Sequence, residues 1–181
     1  MGGPDVLGVR PFEYRGGLMK NDLTAVEVIG MGIRSEQDAA AFYGKVSKKV
    51  KNPLVRAKFE QLAREEVGHK AMLVAMYQKI TGEKNPPQIP GEPDTAEKGG
   101  VLIDVEDMEE LLNFAIFREQ ESSRFYSEAA SFSKDPSGKR TLEYLAGIER
   151  AHEAMLAEEK AAFLRDRDWY LNNDDIQLVG P

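Results

Sequence analysis

The two histidines of the chain each follow a glutamate by three residues. Residues at this spacing share one face of a helix, so a carboxylate and an imidazole can bind the same metal ion. One such pair is a weak signal in a glutamate-rich chain, but each pair here also has a glutamate 30 residues upstream. The candidate metal ligands are Glu36, Glu66, His69, Glu119, Glu149 and His152.

These six residues belong to an internal repeat. A shift of 83 positions aligns the two halves of the chain without a gap over about fifty residues. Glu36 then falls on Glu119, and Phe42–Tyr43 falls on Phe125–Tyr126. Self-similarity of this kind indicates one structural unit that is present twice.

Each half reads as a helical hairpin. Apolar residues recur at spacings of three and four, which predicts helices rather than strands. Thr24 to Glu27 forms a capping-box pattern, and Asn52-Pro53 and Asp135-Pro136 each supply a helix cap followed by a first-turn proline. Asp104 is a further candidate cap. The inward stripe predicted for the second helix is Val55, Phe59, Leu62, Glu66, His69, Leu73, Met76 and Ile80.

The turns place the candidate ligands at one height. The midpoint of positions 36 and 66 falls at Lys51, and that of 119 and 149 falls at Lys134, each beside a proline turn. Antiparallel helices leaving those turns bring each upstream glutamate level with its Glu-x-x-His pair. Pseudo-two-fold packing of the hairpins then gathers four carboxylates and two imidazoles. Unpaired carboxylates in a core cost several kcal/mol each, and two divalent ions balance their charge.

The sequence therefore predicts an all-α, antiparallel four-helix bundle made of two repeated hairpins joined by a long crossover, the ferritin-like connection. The crossover region contains four prolines and reads as a linker. The predicted division is an N-terminal extension 1–21, a bundle 22–165 and a C-terminal tail 166–181. Within the bundle, the hairpins are 22–82 and 104–165, and the crossover is 83–103.

Composition excludes several other functions. The chain has no cysteine, which excludes disulfides, iron–sulfur clusters and thiolate zinc sites. A net charge of −7 argues against nucleic acid or an anionic membrane as the main partner. No apolar run is long enough to span a bilayer, and the first residues do not resemble a secretion signal. We expect a cytoplasmic protein.

Glutamate on one helix and Glu-x-x-His on the next, twice over, resembles the ligand pattern of ferritin-like di-iron proteins. The Phe-Tyr pairs and the Leu-Ala segments before each Glu-x-x-His make residues 24–165 most similar to rubrerythrins. The resemblance implies that the six candidate residues bind two iron ions, with manganese or zinc as possible substitutes. Two features depart from the family. The cysteine-rich rubredoxin domain is missing, and Ser122 stands where rubrerythrins have an extra ligand glutamate.

The resemblance implies a redox enzyme that reduces hydrogen peroxide or O2, as a peroxidase in oxidative stress. An external electron donor is then required, and a homodimer is expected. Two other di-metal functions stay open: a ferroxidase that stores or delivers iron, and an oxygenase acting on an organic substrate. The non-catalytic alternative is a metal-free bundle that acts as an interaction module, with each histidine salt-bridged to a glutamate in the core.

Other polar residues near the stripes have simpler interpretations. Tyr43 and Tyr126 either hydrogen-bond a ligand carboxylate, act as redox-active neighbours, or are core aromatics whose hydroxyls find a partner; we favour the last. Glu65 and Glu121 fall off the inward stripes and are predicted to be solvated, whereas Glu159 is predicted to form a salt bridge near one end of the bundle. The two chain ends can pack on the bundle or on another subunit.

Overall fold

The computed structural model describes residues 24–86 and 108–172. These residues contain no strand, so the prediction of an all-α bundle is confirmed. None of the described helices is long and apolar enough to cross a membrane. The N-terminal extension, most of the crossover with Asp104, and the end of the tail lie outside the described residues. The helices are α1 (Ala25–Lys49), α2 (Pro53–Thr81), α3 (Met108–Phe132), α4 (Pro136–Arg165) and α5 (Arg167–Asn172).

The helix ends follow from local chemistry. The Thr24 hydroxyl accepts from the backbone N–H of Glu27 at 3.2 Å, and the Glu27 carboxylate accepts from the Thr24 N–H at 2.8 Å. Helix α2 ends at Gly82, whose φ of 75° is in the left-handed region that favours glycine. The Gly82 N–H donates to the Gln78 carbonyl at 2.9 Å, which satisfies one of the last free carbonyls of the helix.

The two hairpins, α1 with α2 and α3 with α4, enclose a core in two apolar parts. One part lies toward the α1–α2 turn and includes Tyr43, Phe59 and Leu112. The other part lies toward the opposite end and includes Leu73 and Tyr126. Along each of the four long helices, the candidate ligands fall between residues of these two parts. The polar residues thus occupy one layer in the middle of the bundle, closed above and below by apolar side chains.

The predicted stripe of α2 is wrong near its C-terminal end. Ile80 is 45% exposed, whereas Tyr77 is buried and packs with the core. The strict 4-3-4-3 spacing corresponds to 3.5 residues per turn, and a straight α-helix has 3.6. Over four turns the buried face therefore moves away from Ile80 and toward Tyr77.

The first residues of the C-terminal tail pack back on the bundle. Tyr170 is fully buried, and its ring lies 5.6 Å from that of Phe163, edge to face. The Asn52 side-chain amide donates to the Trp169 carbonyl at 2.7 Å, which ties α5 to the α1–α2 turn. Residues 167–172 therefore extend the core rather than leave the bundle.

Asn52 offers a test of this attachment. Asn52 caps α2 and also binds α5, whereas Asp135, its counterpart in the repeat, only caps α4. We expect Asn52→Ala to lower the free energy of unfolding by about 2–3 kcal/mol, because a cap and a buried hydrogen bond are lost together. Asp135→Ala should cost about 1 kcal/mol. Urea denaturation followed by circular dichroism measures both, and equal losses would show that the bond to α5 contributes nothing.

Candidate metal centre

All six predicted ligands lie in the buried layer between the two apolar parts of the core. None of them is more than 5% exposed. Helices α1 and α3 each contribute one glutamate, and α2 and α4 each contribute a Glu-x-x-His pair. The antiparallel turns at Asn52-Pro53 and Asp135-Pro136 therefore bring the two halves of the repeat to the same height.

The ligand atoms form two overlapping groups of four residues. In each group, one nitrogen or oxygen atom from every residue lies within 4.8 Å of the others. Glu66 and Glu149 belong to both groups, so their carboxylates are placed to bridge two ions. The remaining glutamate and histidine of each group are placed as terminal ligands. The groups are Glu36, Glu66, His69, Glu149 and Glu66, Glu119, Glu149, His152.

Both imidazoles face the shared carboxylates through Nδ1. The Nδ1 of His69 lies 3.0 Å from Glu66 Oε2 and 3.2 Å from Glu149 Oε1. The Nδ1 of His152 lies 3.2 Å from Glu66 Oε1 and 3.4 Å from Glu149 Oε2. The two rings stack with centroids 5.5 Å apart. Each bridging glutamate thus has one oxygen beside each histidine, which is the arrangement that two adjacent ions require.

Three atoms of this layer support binding of a cation. Glu66 Oε1, Glu149 Oε1 and His152 Nδ1 are buried and make no hydrogen bond of good geometry with the described residues, although an imidazole nitrogen lies 3.2 Å from each of the two oxygens. Buried polar atoms without a partner are costly, and a metal ion held between them would satisfy all three. Carboxylate oxygens with imidazole nitrogens are a donor set that suits iron, manganese or zinc. The residues present therefore fit a di-metal centre.

The four glutamates of the metal-free layer differ in the direction in which their pKa values are shifted. Burial raises the pKa of Glu36 well above its usual value and raises that of Glu119 to about 8. Burial acts in the same direction on Glu66 and Glu149, but hydrogen bonds from the two imidazoles outweigh it and lower the pKa of both carboxyls.

The imidazoles balance the ionised carboxylates. Burial disfavours their charged form, but the surrounding glutamates outweigh it and raise the pKa of His69 to about 12. They also raise the pKa of His152. The ionised carboxylates of Glu66 and Glu149 therefore face two imidazoliums, while burial favours the neutral form of Glu36 and Glu119. The opposite charges offset one another, which reduces the cost of burying six titratable groups together.

Two tyrosines bind the terminal glutamates across the bundle. The hydroxyl of Tyr43 on α1 donates to Glu119 on α3, and that of Tyr126 on α3 donates to Glu36 on α1. Both tyrosines are buried, and burial raises their pKa, so the hydroxyls stay protonated donors. These contacts fit the interpretation that we did not favour, a hydrogen bond to a candidate ligand carboxylate, and the partner was not foreseen. It is a candidate metal ligand of the opposite hairpin.

The family model for rubrerythrin matches residues 27–160, which is most of the chain. The chain belongs to the rubrerythrin family. A hypothetical protein from Pyrococcus furiosus has a similar structure, with a TM-score of 0.68 and 26% sequence identity. The alignment covers 81% of this chain and 94% of that one. No curated protein gives a significant match.

The family assignment confirms the resemblance predicted from the sequence. Rubrerythrin membership and the buried layer of carboxylates and imidazoles are together consistent with a di-metal site. This rubrerythrin-family chain contains no cysteine, and hence none of the thiolate ligands of a rubredoxin iron site.

The prediction that Glu65 is a solvated residue is wrong in one respect. Its side chain is 40% exposed, but its Oε2 lies 2.8 Å from the Nε2 of His152. Glu65 was missed because it lies off the inward stripe of α2, at an angle that faces α4 rather than the bundle axis. No feature of the sequence distinguishes it from the other surface glutamates.

Glu121 also departs from its prediction as a solvated residue. Its side chain is only 15% exposed and pairs with Arg124 at 2.8 Å. Glu159 is buried and forms the expected salt bridge, with Lys58 on α2. Neither carboxylate belongs to the two ligand groups.

A groove of about 650 Å³ leads from the surface toward the histidines. It runs between α2 and α4 and is lined by the side chains of both histidines and, on its apolar walls, by Met72, Tyr144 and Met155. The outer edges of the two imidazoles therefore face the groove, while their Nδ1 atoms face the carboxylates. A small molecule can approach the layer from this side without passing through either apolar part of the core.

Tyr43→Phe tests the cross-bundle hydrogen bond. The change leaves the Glu119 carboxyl without its hydroxyl donor in a buried layer, so we expect the free energy of unfolding of the metal-free protein to fall by about 1–3 kcal/mol. Tyr144→Phe is the matched control, because Tyr144 is an exposed tyrosine of the same chain and should change stability by less than about 0.5 kcal/mol. Urea titrations of the three proteins provide the comparison. Equal stability of the Tyr43 variant and the wild type would contradict the assigned bond.

Proposed function

We propose that the protein is a non-haem di-iron oxidoreductase that reduces hydrogen peroxide, or O2, at the buried layer. The observation that carries the proposal is the pair of four-residue ligand groups that share Glu66 and Glu149. Two ions held by these shared carboxylates would be able to act on one oxidant together. A cytoplasmic role in oxidative stress, an external electron donor and a homodimeric state belong to the same proposal.

Iron is the metal that this proposal requires. Bound as a ferrous pair, iron would supply the two electrons that, with two protons, convert hydrogen peroxide to two water molecules. Zinc would occupy the same donors without redox chemistry. The chain has no cysteine that could hold an electron-carrying rubredoxin iron, so the proposal assigns the role of electron donor to another molecule.

The surrounding residues hold the ligands in place. Tyr43 and Tyr126 orient the terminal glutamates through their hydroxyl groups, and Glu65 orients the imidazole of His152. The two apolar parts of the core exclude bulk water from both ends of the layer. The groove between α2 and α4 remains as the route for a small oxidant and for the protons consumed in its reduction.

The test is metal content combined with oxidant preference. The protein is purified from iron-supplemented cells, its metals are quantified per chain, and the anaerobically reduced protein is mixed with peroxide or O2 while near-ultraviolet absorbance is followed. We expect about two irons per chain, as the two ligand groups imply, and faster oxidation by peroxide than by O2. Zinc-loaded protein is the control and should show no absorbance change.

Other outcomes would redirect the assignment. Faster oxidation by O2 with continuing iron uptake, together with a multi-subunit shell in light scattering, would indicate a ferroxidase. Oxygen consumption that depends on an added organic compound would indicate an oxygenase. Protein without bound metal after iron loading would contradict the di-metal centre and leave the bundle as an interaction module.

A further inference from the structure

The two halves of the metal layer differ at their outer edge. In the first half, Gln61 donates to Glu65 Oε1 at 2.9 Å, and the other oxygen of Glu65 lies 2.8 Å from His152 Nε2. A shift of 83 positions places Tyr144 where Gln61 is and Ile148 where Glu65 is. All four residues line the groove between α2 and α4. The repeat therefore provides a carboxylate for one imidazole and a hydrocarbon side chain in the equivalent place for the other.

Because Glu65 and Ile148 occupy equivalent places, the two imidazoles have different partners at their outer edges. The Glu65 carboxylate accepts the proton of Nε2 of His152 in a hydrogen bond and fixes the ring orientation, so that Nδ1 faces the shared glutamates. No described residue makes a corresponding bond to Nε2 of His69, whose outer edge faces the groove. An imidazole that is already oriented loses less conformational freedom when it binds a metal ion. A carboxylate that accepts a hydrogen bond from the imidazole also makes the ring a stronger electron-pair donor to the metal.

We propose that Glu65 is a positioning residue that makes the metal position at Glu119 and His152 the tighter of the two, so that it fills first. The position at Glu36 and His69 is then the weaker one, from which an ion exchanges more readily. The inference rests on the di-metal centre of the proposed function, but not on the reaction carried out there.

The size of the effect follows from the exposure of Glu65. Removing the hydrogen-bonded partner of a metal-bound histidine typically costs 10–100-fold in affinity. Because the Glu65 side chain is 40% exposed, water screens its charge and can replace part of its bond, so we expect the lower end of this range, about tenfold.

The experiment uses zinc and the two histidines as reporters. Zinc is titrated into the metal-free full-length chain by calorimetry, and ¹⁵N-histidine spectra are recorded at each addition. Because the chain has two histidines, a His69→Gln variant assigns the signals. In the wild type, the His152 signals should change before those of His69, with the two affinities differing about tenfold or more.

Three variants test whether the loss of zinc affinity is confined to the His152 position or affects both positions. Glu65→Ile copies the residue of the other half and should weaken the His152 position about tenfold, so that both histidine signals change together. Glu65→Gln should restore part of the difference, because its amide oxygen still accepts from Nε2. Glu60→Ile, an exposed glutamate on the same helix, is the control and should leave both affinities unchanged.

Either a wild type in which His69 responds first, or an unchanged filling order in Glu65→Ile, would overturn the inference. A wild type that binds fewer than two zinc ions would overturn both the inference and the di-metal centre beneath it. If zinc binds in the expected order but the iron-loaded protein fails to reduce peroxide or O2, the proposed reaction is wrong and the inference stands.

Discussion

Glu66→Gln is expected to lower the metal content of the iron-loaded protein to one ion per chain or none and to abolish the proposed reduction of peroxide. Glu66 belongs to both ligand groups, so the substitution removes an anionic ligand from both metal positions at once. The amide that replaces it is neutral and presents only one good acceptor. Metal analysis and stopped-flow absorbance measure the two effects. Glu60→Gln is the control on the same helix, and it should retain both metals and full activity.

The same substitution should also destabilise the metal-free protein, by about 3–5 kcal/mol, because it leaves two buried imidazoliums with one carboxylate fewer. Glu36→Gln provides the contrast. Burial raises the pKa of Glu36 well above its usual value and so favours its neutral form, and an amide of similar shape should change stability by less than about 1 kcal/mol. Urea unfolding of both variants in the presence of a chelator tests this. Equal destabilisation by the two changes would contradict the assigned charge distribution.

The sequence was sufficient to predict the bundle and the ligand layer because both depend on simple periodicities. The shift of 83 positions locates two equivalent hairpins, and the proline turns fix the height at which their buried faces meet. Glutamate on an otherwise apolar stripe then stands out, since an ionised carboxylate is costly in a core unless it is paired or binds a cation, and each histidine supplies a further metal-binding group beside it. The structure places all six in one layer.

Contacts between helices could not be predicted from these periodicities. The sequence shows Tyr43 two turns from Glu36 on the same helix, but its hydroxyl binds Glu119 on another. Which glutamate the Tyr43 hydroxyl reaches depends on how the two hairpins pack against each other. The spacing of residues within one helix does not determine that packing. Glu65 was missed for the same reason, since its partner lies on α4. The exposed Ile80 shows a different limit, because a small error in helical period accumulates over several turns.

Metal binding should release protons and depend steeply on pH. Four groups of the metal-free layer have raised pKa values and must give up a proton to bind a metal ion: the carboxyls of Glu36 and Glu119, and Nδ1 of His69 and His152. We therefore expect several protons, at most four, to be released when two divalent ions bind. The overall constant for binding both ions should then rise with pH near neutrality, by at most about ten-thousand-fold for each unit.

The pKa values determine the direction of the pH dependence of metal binding and the pH range over which it changes. A raised pKa favours the protonated form, so each of the four groups opposes metal binding below its pKa and ceases to oppose it above. Glu119, with a pKa of about 8, loses its proton as the pH rises from 7 to 9. The number of protons released should therefore fall by about one over this range, while the pKa of His69, about 12, keeps that imidazole charged.

Zinc calorimetry in buffers of different ionisation enthalpy counts the protons directly. The change in observed enthalpy between two buffers, divided by their difference in ionisation enthalpy, gives the number of protons released, which should be about one smaller at pH 9 than at pH 7. Release of fewer than two protons at pH 7 would mean that the metal-free layer already holds free carboxylates and neutral imidazoles. Its four negative charges would then be unbalanced in the core, and the electrostatic account of how this bundle folds without metal would be wrong.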